Sequence, residues 1–436
     1  MKNFRLLLAV GFGVLLLVHA GMVQAQCADP FARFLNNVSN ELPEVQAQCA
    51  DPFAANFEPA EDQKNAACNY PITVYNPPFL FELDKTMEET SGLEFYNGLL
   101  WTHNDSGGEA LLYGMDTVQG KIVQRIALAN SKNRDWEDVT LDENYFYAGD
   151  FGNNAATRKD LLVYRFPLSG IPAQGDATVE AEKIHFRFPD QTVFERNWDS
   201  NNFDCEAMVA GKEYLYLFSK NRGDQQTKLY RLPKKPGNYV AELIDTFNSQ
   251  GLITGATYDS KNKQLALIGY THKTWQPFVW LFYGFDEEDF FGGYHRRLDL
   301  LNLITVQAEG IVFVSPNQLM ISAESTKTFS ARMFRFDAAP YTEMLQLAKS
   351  NSKASGWLQK DEAGSRYVVA GDQLKAGSYL CVLFDAQGNQ LHKSLIQIDN
   401  KPLPLAIAAE TMPRITSVAL FGKRHTYYTI TNDDNK

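Results

Sequence analysis

Residues 135–154 read DWEDVTLDENYFYAGDFGNN, and this stretch carries the pattern that decides the fold. It opens with an acidic cluster, residues 135–138, which is followed at once by the apolar Val139. The aromatic run 145–147 predicts a second strand, and the Gly- and Asn-rich run 149–154 predicts a polar turn. Short apolar strands separated by such turns are typical of antiparallel sheets.

The same unit recurs at a spacing of roughly 45 to 70 residues, the range expected for propeller blades that carry insertions. Five stretches open a unit: 89–93 (ETSGL), 135–139 (DWEDV), 204–208 (DCEAM), 252–256 (LITGA) and 307–311 (QAEGI). Each opening is followed by a second apolar strand, in turn 98–101, 145–147, 214–217, 265–268 and 318–321, and then by a polar turn. The chain is therefore predicted to be an all-β protein with a β-propeller over residues 70–340.

The repeat count predicts five blades, and the long stretch 167–201 leaves room for an irregular sixth. The run 71–83 is expected to close the ring as the outer strand of the last blade, since closure removes a free sheet edge. Pro340 and the Ser- and Lys-rich run 349–356 mark a boundary. Short apolar runs beyond that boundary predict a small β-module over residues 357–436.

Residues 1–25 are predicted to be a secretory signal peptide. Lys2 and Arg5 precede an apolar run that is too short to span a membrane, and no later stretch is long enough to do so. We therefore expect the protein to be exported to the periplasm, the cell surface or the extracellular medium, without a transmembrane span.

Residues 26–69 are predicted to be a linker. A decapeptide, VQAQCADPFA, occurs twice in this part of the chain, at 23–32 and 45–54. Cys27, Cys49 and Cys68 lie here, and an oxidising compartment would allow a disulfide among them.

The composition excludes several classes of function. The chain has 436 residues, and 41 Lys and Arg residues against 52 Asp and Glu residues give a net charge of −11. Such an acidic body, without a basic stripe, argues against nucleic acid as a partner. The cysteines and the 7 histidines fit no zinc template. There is also no nucleophile elbow, Walker loop or dinucleotide fingerprint.

The openings and the polar turns are expected to meet at one end of the propeller channel. Successive strands of a blade are antiparallel, so the start of the first strand and the end of the second lie on one face. The spacing between the two is nearly constant: 14 residues from Ser91 to Asp105, 13 from Glu137 to Asp150, and 14 from Glu206 to Lys220. This regularity predicts a polar face around the axis.

Three carboxylates, Glu137, Glu206 and Glu309, take equivalent positions in the openings, and Ser91 and Thr254 fill the same place in the other two units. Carboxylates around one axis repel each other unless protons or a cation neutralise them. Hard oxygen ligands without His or Cys favour a divalent cation, and calcium tolerates irregular coordination. The alternative is that these side chains cap backbone groups or pair with the basic residues of the turns.

The polar turns supply candidate catalytic and ligand-binding residues. His103, Asp105 and Asp150 are the candidates for positioning a water molecule. The candidates for ligand binding are Asn104, Asn153, Arg158, Lys220, Arg222 and His272. The basic members of this set would attract an anionic ligand. The alternative is that the Gly and Asn residues only satisfy turn geometry. Exposed rings such as Trp136 and Trp275 could stack on a sugar, although packing between blades is the more common fate of an aromatic ring in a propeller.

Six motifs in fixed order carry a resemblance: HNDSG (103–107), DWEDV (135–139), GDFGNN (149–154), CEAM (205–208), ITGA (253–256) and AEGI (308–311). Together they resemble a group of exported bacterial β-propeller proteins known mainly from their sequences. The resemblance implies a fold and a functional face rather than a reaction. More distantly, the chain is similar to the propellers with esterase-like activity of phytase and to the five-bladed calcium-dependent apyrases. The apyrase likeness implies that Ser91, Glu137, Glu206 and Glu309 hold an axial calcium ion.

Two classes of function follow. In the first, the protein is an exported propeller that binds a divalent cation, with calcium favoured, in its channel. The same face then recognises an anionic or polar ligand, either a small molecule or a polymer. In the second, it is a calcium-dependent phosphoester hydrolase of the phytase or apyrase type. The lack of an unmistakable nucleophile favours the first class, while the resemblance to hydrolases favours the second.

Overall fold

The computed structural model describes residues 49–60, 68–303, 307–351, 357–360, 366–408 and 411–431. The predicted signal peptide, the first copy of the decapeptide and Cys27 lie outside these residues. The described residues belong to one compact unit. Among the described residues, no helix combines the length and the apolar character needed to cross a membrane.

Five sheets, each with four or five strands, form the larger part of the described chain. The first sheet has the order β2 (Thr90–Tyr96), β3 (Leu99–Asn104), β4 (Leu111–Met115), β5 (Ile122–Leu128) and β9 (Ala177–Val179). The second has the order β6 (Trp136–Leu141), β7 (Tyr145–Asp150), β8 (Leu162–Pro167), β10 (Glu182–Arg187) and β14 (Gly237–Val240). The third has the order β11 (Cys205–Ala210), β12 (Tyr214–Ser219), β13 (Thr227–Pro233) and β15 (Glu242–Phe247).

The remaining two sheets of this part follow the same plan. The fourth has the order β16 (Leu252–Asp259), β17 (Gln264–Tyr270), β18 (Pro277–Tyr283) and β19 (Tyr294–Asp299). The fifth has the order β20 (Ala308–Ser315), β21 (Gln318–Ala323), β22 (Arg332–Asp337) and β1 (Phe79–Glu82). Within each sheet the first four strands pair in antiparallel fashion, whereas β9 and β14 add in parallel at an outer edge.

The strands β2, β6, β11, β16 and β20 contact one another in a closed ring, with β20 next to β2. These strands begin in the five predicted openings, and the all-β propeller prediction is confirmed. The strand β1 pairs with β22, so the N-terminal run closes the fifth sheet from outside. The stretch 167–201 forms no sheet of its own, because it supplies β9 to the first sheet and β10 to the second.

The core lies between neighbouring sheets, where apolar side chains of one sheet pack on those of the next. Between the first and second sheets, Trp101, Trp136 and Phe146 are fully buried, and the rings of Trp101 and Phe146 meet edge to face at 6.4 Å. The many Tyr and Phe residues serve this packing, since large rings fill the space between sheets.

The C-terminal β-module is present. It holds one sheet of β23 (Leu358–Lys360), β24 (Tyr367–Val369) and β27 (Leu403–Pro404), and another with the order β26 (Gln390–Ile398), β25 (Gly377–Phe384), β28 (Ser417–Gly422) and β29 (Thr426–Ile430). Two short helices, α1 (Ala339–Thr342) and α2 (Met344–Asn351), occupy the predicted boundary. Pro340 stands in the first turn of α1, where its missing N–H has no structural cost.

The described part of the predicted linker is packed rather than extended. Cys49 and Cys68 form a disulfide. The buried carboxylate of Asp51 accepts hydrogen bonds from the hydroxyls of Tyr70 at 2.6 Å and of Tyr283, on β18, at 2.7 Å. The ring of Phe57 packs in the core of the C-terminal module. The segment 49–60 therefore connects the propeller and the C-terminal module.

Candidate functional site

Every inner strand is interrupted by an irregular register at the same place. The breaks lie between Thr90 and Leu93, Trp136 and Asp138, Cys205 and Ala207, Ile253 and Gly255, and Ala308 and Gly310. The residues at these breaks include Ser91, Glu137, Glu206, Thr254 and Glu309. A β-bulge turns a side chain out of the normal alternation. The same backbone irregularity therefore orients each of the five residues that the sequence predicts to lie around the axis.

The two hydroxyl residues of this set fasten neighbouring inner strands together. Ser91 Oγ donates to the carbonyl of Glu137 at 2.6 Å, and Thr254 Oγ1 donates to the carbonyl of Ala308 at 2.7 Å. Both hydroxyls are buried. Both hydroxyls therefore bind backbone carbonyl groups, as the capping interpretation predicts.

Lys220 places a positive charge beside the carboxylates of the inner strands. Its buried ammonium forms an ion pair with Glu206 and lies 5.4 Å from the ring centroid of Tyr270. Burial by itself lowers the pKa of Lys220, but the charges of Glu206 and then Tyr270 and Glu309 outweigh it and hold that pKa well above its ordinary value. The ammonium therefore stays charged and neutralises Glu206.

The two arginines predicted to attract an anion are also engaged with carboxylates. Arg158 Nη2 lies 2.8 Å from Asp150 Oδ1, and Arg158 Nη1 donates to the carbonyl of Gly152 at 2.9 Å. Arg222 Nη1 lies 2.6 Å from Asp204 Oδ2. These pairs neutralise the cations locally, so the face offers an anion less attraction than the sequence predicted.

The asparagine side chains of the turns donate hydrogen bonds to backbone carbonyls. Asn104 Nδ2 donates to the carbonyl of Thr86 at 2.8 Å. Asn153, which is 2% exposed, donates through Nδ2 to the carbonyl of Phe203 at 2.9 Å. His272 lies half-buried on the turn between β17 and β18, on the same face.

His103 lies in the core rather than on the open face. Its ring is fully buried and meets the ring of Trp136 edge to face at 5.6 Å, and its Nδ1 lies 3.0 Å from the carbonyl of Asn104. Burial lowers the pKa of His103 to about 4, so the ring is neutral. Of the three predicted catalytic residues, Asp150 is held by Arg158 and His103 by Trp136. Of these three residues, Asp105 belongs to an acidic cluster with Asp135 and Glu137.

Asp105, Asp135 and Glu137 bring carboxylate oxygens within 4.8 Å of one another. Asp105 follows β3, Asp135 precedes β6, and Glu137 lies in the bulge of β6. The backbone N–H of Trp136 donates to the carbonyl of Asp105 at 3.2 Å, which joins the two segments. Glu137 Oε1 and Asp105 Oδ1 are buried and have no hydrogen-bond partner among the residues that the structure describes. Such orphaned carboxylate oxygens are suited to a cation.

Electrostatic repulsion acts on all three members of this acidic cluster. Burial and then the charge of Asp135 raise the pKa of Asp105 to about 7. Burial and then Asp204 raise the pKa of Asp135 to about 6. Burial and then Glu206 hold the pKa of Glu137 well above its ordinary value. The three charges therefore oppose one another, and a cation bound among them would relieve that repulsion.

Two further residues of this face were not selected from the sequence. Asp135 stands in the quoted opening, directly before the bulge, and its acidic character was the available signal. Glu324 follows β21, and its Oε2 accepts a hydrogen bond from Gln307 Nε2 at 2.8 Å. Burial and then Glu309 raise the pKa of Glu324 to about 9. Glu324 is therefore protonated at neutral pH, and it extends the row of carboxyl groups from the first and second sheets to the fifth.

Asp138 closes the ring beneath this face. Its buried carboxylate accepts hydrogen bonds from the N–H of Met208, on β11, at 2.7 Å and from the N–H of Val139 at 2.9 Å. A Cβ atom on Gly92, in β2, would lie 2.7 Å from Asp138 Oδ1, so that position requires glycine. The side chain of Asp138 thus joins β6 to β11, and Gly92 leaves room for it beside β2.

No protein-family model matches the chain, and no curated protein matches it. Solved structures similar to it include the PQQ-bound aldose sugar dehydrogenase of Streptomyces coelicolor, at 9% identity and a TM-score of 0.34, over 60% of this chain and 99% of that one. The exo-β-1,3-galactanase of Phanerochaete chrysosporium with galactose is similar at 10% identity and a TM-score of 0.37, over 78% and 90% of the two chains. At these values neither similarity supports a function, and the fold assignment rests on the sheet topology.

Proposed function

We propose that this protein is an exported propeller that binds a divalent cation, with calcium favoured, and presents it to a polar or anionic ligand. The observation that carries the proposal is the acidic cluster of Asp105, Asp135 and Glu137, in which two buried carboxylate oxygens have no partner among the described residues. A buried carboxylate without a partner costs free energy, and a cation with oxygen ligands removes that cost.

The donor set favours calcium over transition metals. All three side chains offer carboxylate oxygens, and neither His nor Cys takes part. Hard oxygen donors suit calcium and magnesium, and calcium accepts the irregular arrangement that three different loops and strands produce. Water and ligand oxygens would complete the coordination.

The proposed ligand set differs from the axial set that the sequence predicts, which is Ser91, Glu137, Glu206 and Glu309. Lys220 already neutralises Glu206, and the Ser91 hydroxyl donates to a backbone carbonyl. Glu137 is common to both sets. The axial arrangement predicts that Glu206→Gln abolishes binding, whereas the cluster predicts that Asp135→Asn does.

A hydrolase of phosphoesters is the second candidate, because three protein ligands leave coordination positions open for water and a substrate oxygen. The placement of His103 in the core and of Asp150 in an ion pair removes two of its three predicted catalytic residues. We therefore rank binding above catalysis.

Export is supported by two features. The leader at residues 1–25 has the pattern of a signal peptide. The disulfide between Cys49 and Cys68 is of the kind that forms in oxidising compartments.

The test is isothermal titration of the full chain with calcium and magnesium after chelation. We expect calcium to bind, Asp135→Asn and Glu137→Gln each to weaken binding by at least about tenfold, and Glu206→Gln to have a smaller effect. Asp160→Asn is the control, because Asp160 lies on the turn between β7 and β8 of the same sheet, is half exposed, and pairs with Arg134 and Arg158 rather than joining the cluster. Wild-type protein that binds neither cation would refute the proposal.

A further inference from the structure

The tryptophans fall into a buried group and an exposed group. All six lie among the described residues, and four are buried: Trp101, Trp136, Trp280 and Trp357. Trp198 is 53% exposed and Trp275 is 44% exposed. An exposed indole presents a large flat apolar surface on which a ligand ring can stack.

Both exposed tryptophans lie on the face that carries the acidic cluster. Trp275 stands on the turn between β17 and β18, at the end where the inner strands begin. Trp198 stands on the connection 188–204, which runs from β10 to the start of β11 at the same end. The two indoles and the carboxylates therefore share one surface.

The ring of Trp275 is held in place. It stacks on Tyr270 with a centroid distance of 4.8 Å and an interplanar angle of 12°. The N–H of Trp275 donates to the carbonyl of Thr271 at 3.0 Å, and its backbone φ of 54° lies in the left-handed region that bulky residues rarely adopt. Tyr270 thus covers one face of the indole, while the residue as a whole keeps 44% of its surface exposed.

Contacts lead from Trp275 to the charged ring. Tyr270 lies 5.4 Å from the ammonium of Lys220, and Lys220 pairs with Glu206. A ligand stacked on Trp275 would therefore share this face with the ion pair of Lys220 and Glu206.

Trp198 also lies on a turn that hydrogen bonds hold in place. The N–H of Ser200 donates to Asn197 Oδ1 at 3.1 Å, and the N–H of Asn197 donates to the carbonyl of Ala155 at 3.0 Å. Asn201 Nδ2 donates to the carbonyl of Asn153 at 2.7 Å. The connection is therefore fixed to the turn of the second sheet, beside the acidic cluster.

We propose that this face binds a neutral oligosaccharide, with a sugar ring stacked on Trp275 and vicinal hydroxyls on the cation of the acidic cluster; this rests on the proposed function. The C–H bonds on one side of a pyranose ring are attracted to the negative face of an indole. Sugar hydroxyls are hard oxygen ligands that calcium accepts in place of water. A neutral ligand fits because Arg158, Lys220 and Arg222 are neutralised by carboxylates. Two separate indoles suit a chain of sugars.

The experiment measures binding of the full chain to linear oligosaccharides of glucose, mannose, galactose and xylose, and to polygalacturonate, in calcium and in EDTA. Trp275→Ala removes the ring, Trp275→Phe restores a stacking surface, and Trp198→Ala tests the second indole. Phe79→Ala is the control, because Phe79 is 54% exposed on the outer strand β1, away from this face. Calcium titration of each variant reports the cation site separately.

We expect at least one neutral oligosaccharide to bind in calcium, with affinity reduced about five- to tenfold by Trp275→Ala and largely kept by Trp275→Phe. Binding that persists in EDTA but still requires Trp275 would uphold the sugar site and refute the role of the cation. Calcium binding without any neutral sugar binding, binding of polygalacturonate alone, or unchanged affinity in both alanine variants would overturn the inference.

Discussion

Gly152 lies directly against the carboxylate of Glu137. A Cβ atom at position 152 would stand 2.0 Å from Glu137 Oε1 and 2.5 Å from Asp135 Oδ2. The backbone N–H of Gly152 also donates to the carbonyl of Asp135 at 3.1 Å. Because Gly152 has no side chain, the carboxylates of Glu137 and Asp135 have room to approach each other.

Gly152→Ala should weaken calcium binding by at least about tenfold, because the added methyl group displaces Glu137 and Asp135 from their shared position. Titration calorimetry measures the effect. Gly108→Ala is the control on the neighbouring turn, since a Cβ atom there meets nothing within 4 Å. An affinity for calcium that Gly152→Ala leaves unchanged would show that the ion binds elsewhere.

Lys220→Met should lower the free energy of unfolding by about 3–5 kcal/mol, because Glu206 would remain buried without its counterion. The double variant Lys220→Met, Glu206→Gln should recover part of that loss. Urea unfolding monitored by circular dichroism measures both, and Lys273→Met, an exposed residue of the same face, is the control. If the single and double variants are equally unstable, the buried charge of Glu206 is not the cause.

Glu324→Gln should stabilise the protein at alkaline pH. The pKa of Glu324 is raised to about 9 in the folded chain from an ordinary 4.5. The folded state therefore holds a proton that the unfolded state loses, and stability falls as pH rises between these two values. Each pH unit above 4.5 costs about 1.4 kcal/mol, so the gain at pH 8 should be roughly 4–5 kcal/mol, and at pH 4 it should vanish.

Unfolding free energies of wild type and Glu324→Gln across this pH range test that expectation. Glu213→Gln, on an exposed turn, is the control and should show no pH-dependent gain. A gain that is the same at pH 4 and pH 8 would mean that the charge of Glu324 does not determine it.

Replacing Cys49 and Cys68 together by serine should lower the free energy of unfolding by about 2–4 kcal/mol, because the disulfide closes a loop with a sequence separation of 19. It should also speed the cleavage of the segment 49–60 by a protease. Without the disulfide, this segment would depend on the hydrogen bonds that Asp51 accepts from Tyr70 and Tyr283. Mass spectrometry after limited proteolysis locates the first cut. First cuts that still fall outside this segment would contradict the role of the disulfide in holding it.

The sequence predicted the propeller because its evidence is local. Strand lengths, turn residues and the repeated openings are set by neighbouring residues, so one chain reveals them without knowledge of distant contacts. The alignment of Glu137, Glu206 and Glu309 came from the same periodicity, and the bulges at all three positions agree with it.

The sequence leaves the partners of the site residues open. It makes Lys220 a candidate either for binding an anion or for pairing with a carboxylate of the openings, and in the structure Lys220 pairs with Glu206 across two strands of the third sheet. It makes His103 a candidate catalytic residue, yet the ring of His103 packs on Trp136 of the next sheet. Both outcomes depend on how side chains from different turns meet, and spacing along the chain does not contain that information.

By itself, the sequence determined the all-β architecture, the recurring unit and the face on which its polar residues gather, because hydrophobic alternation and turn chemistry act over a few residues. Only the tertiary structure decided which carboxylates approach each other. It joined Asp105 from one sheet to Asp135 and Glu137 from the next, while Lys220 neutralised Glu206. Coulomb interactions and burial depend on distance in space, and the closure of the ring sets those distances.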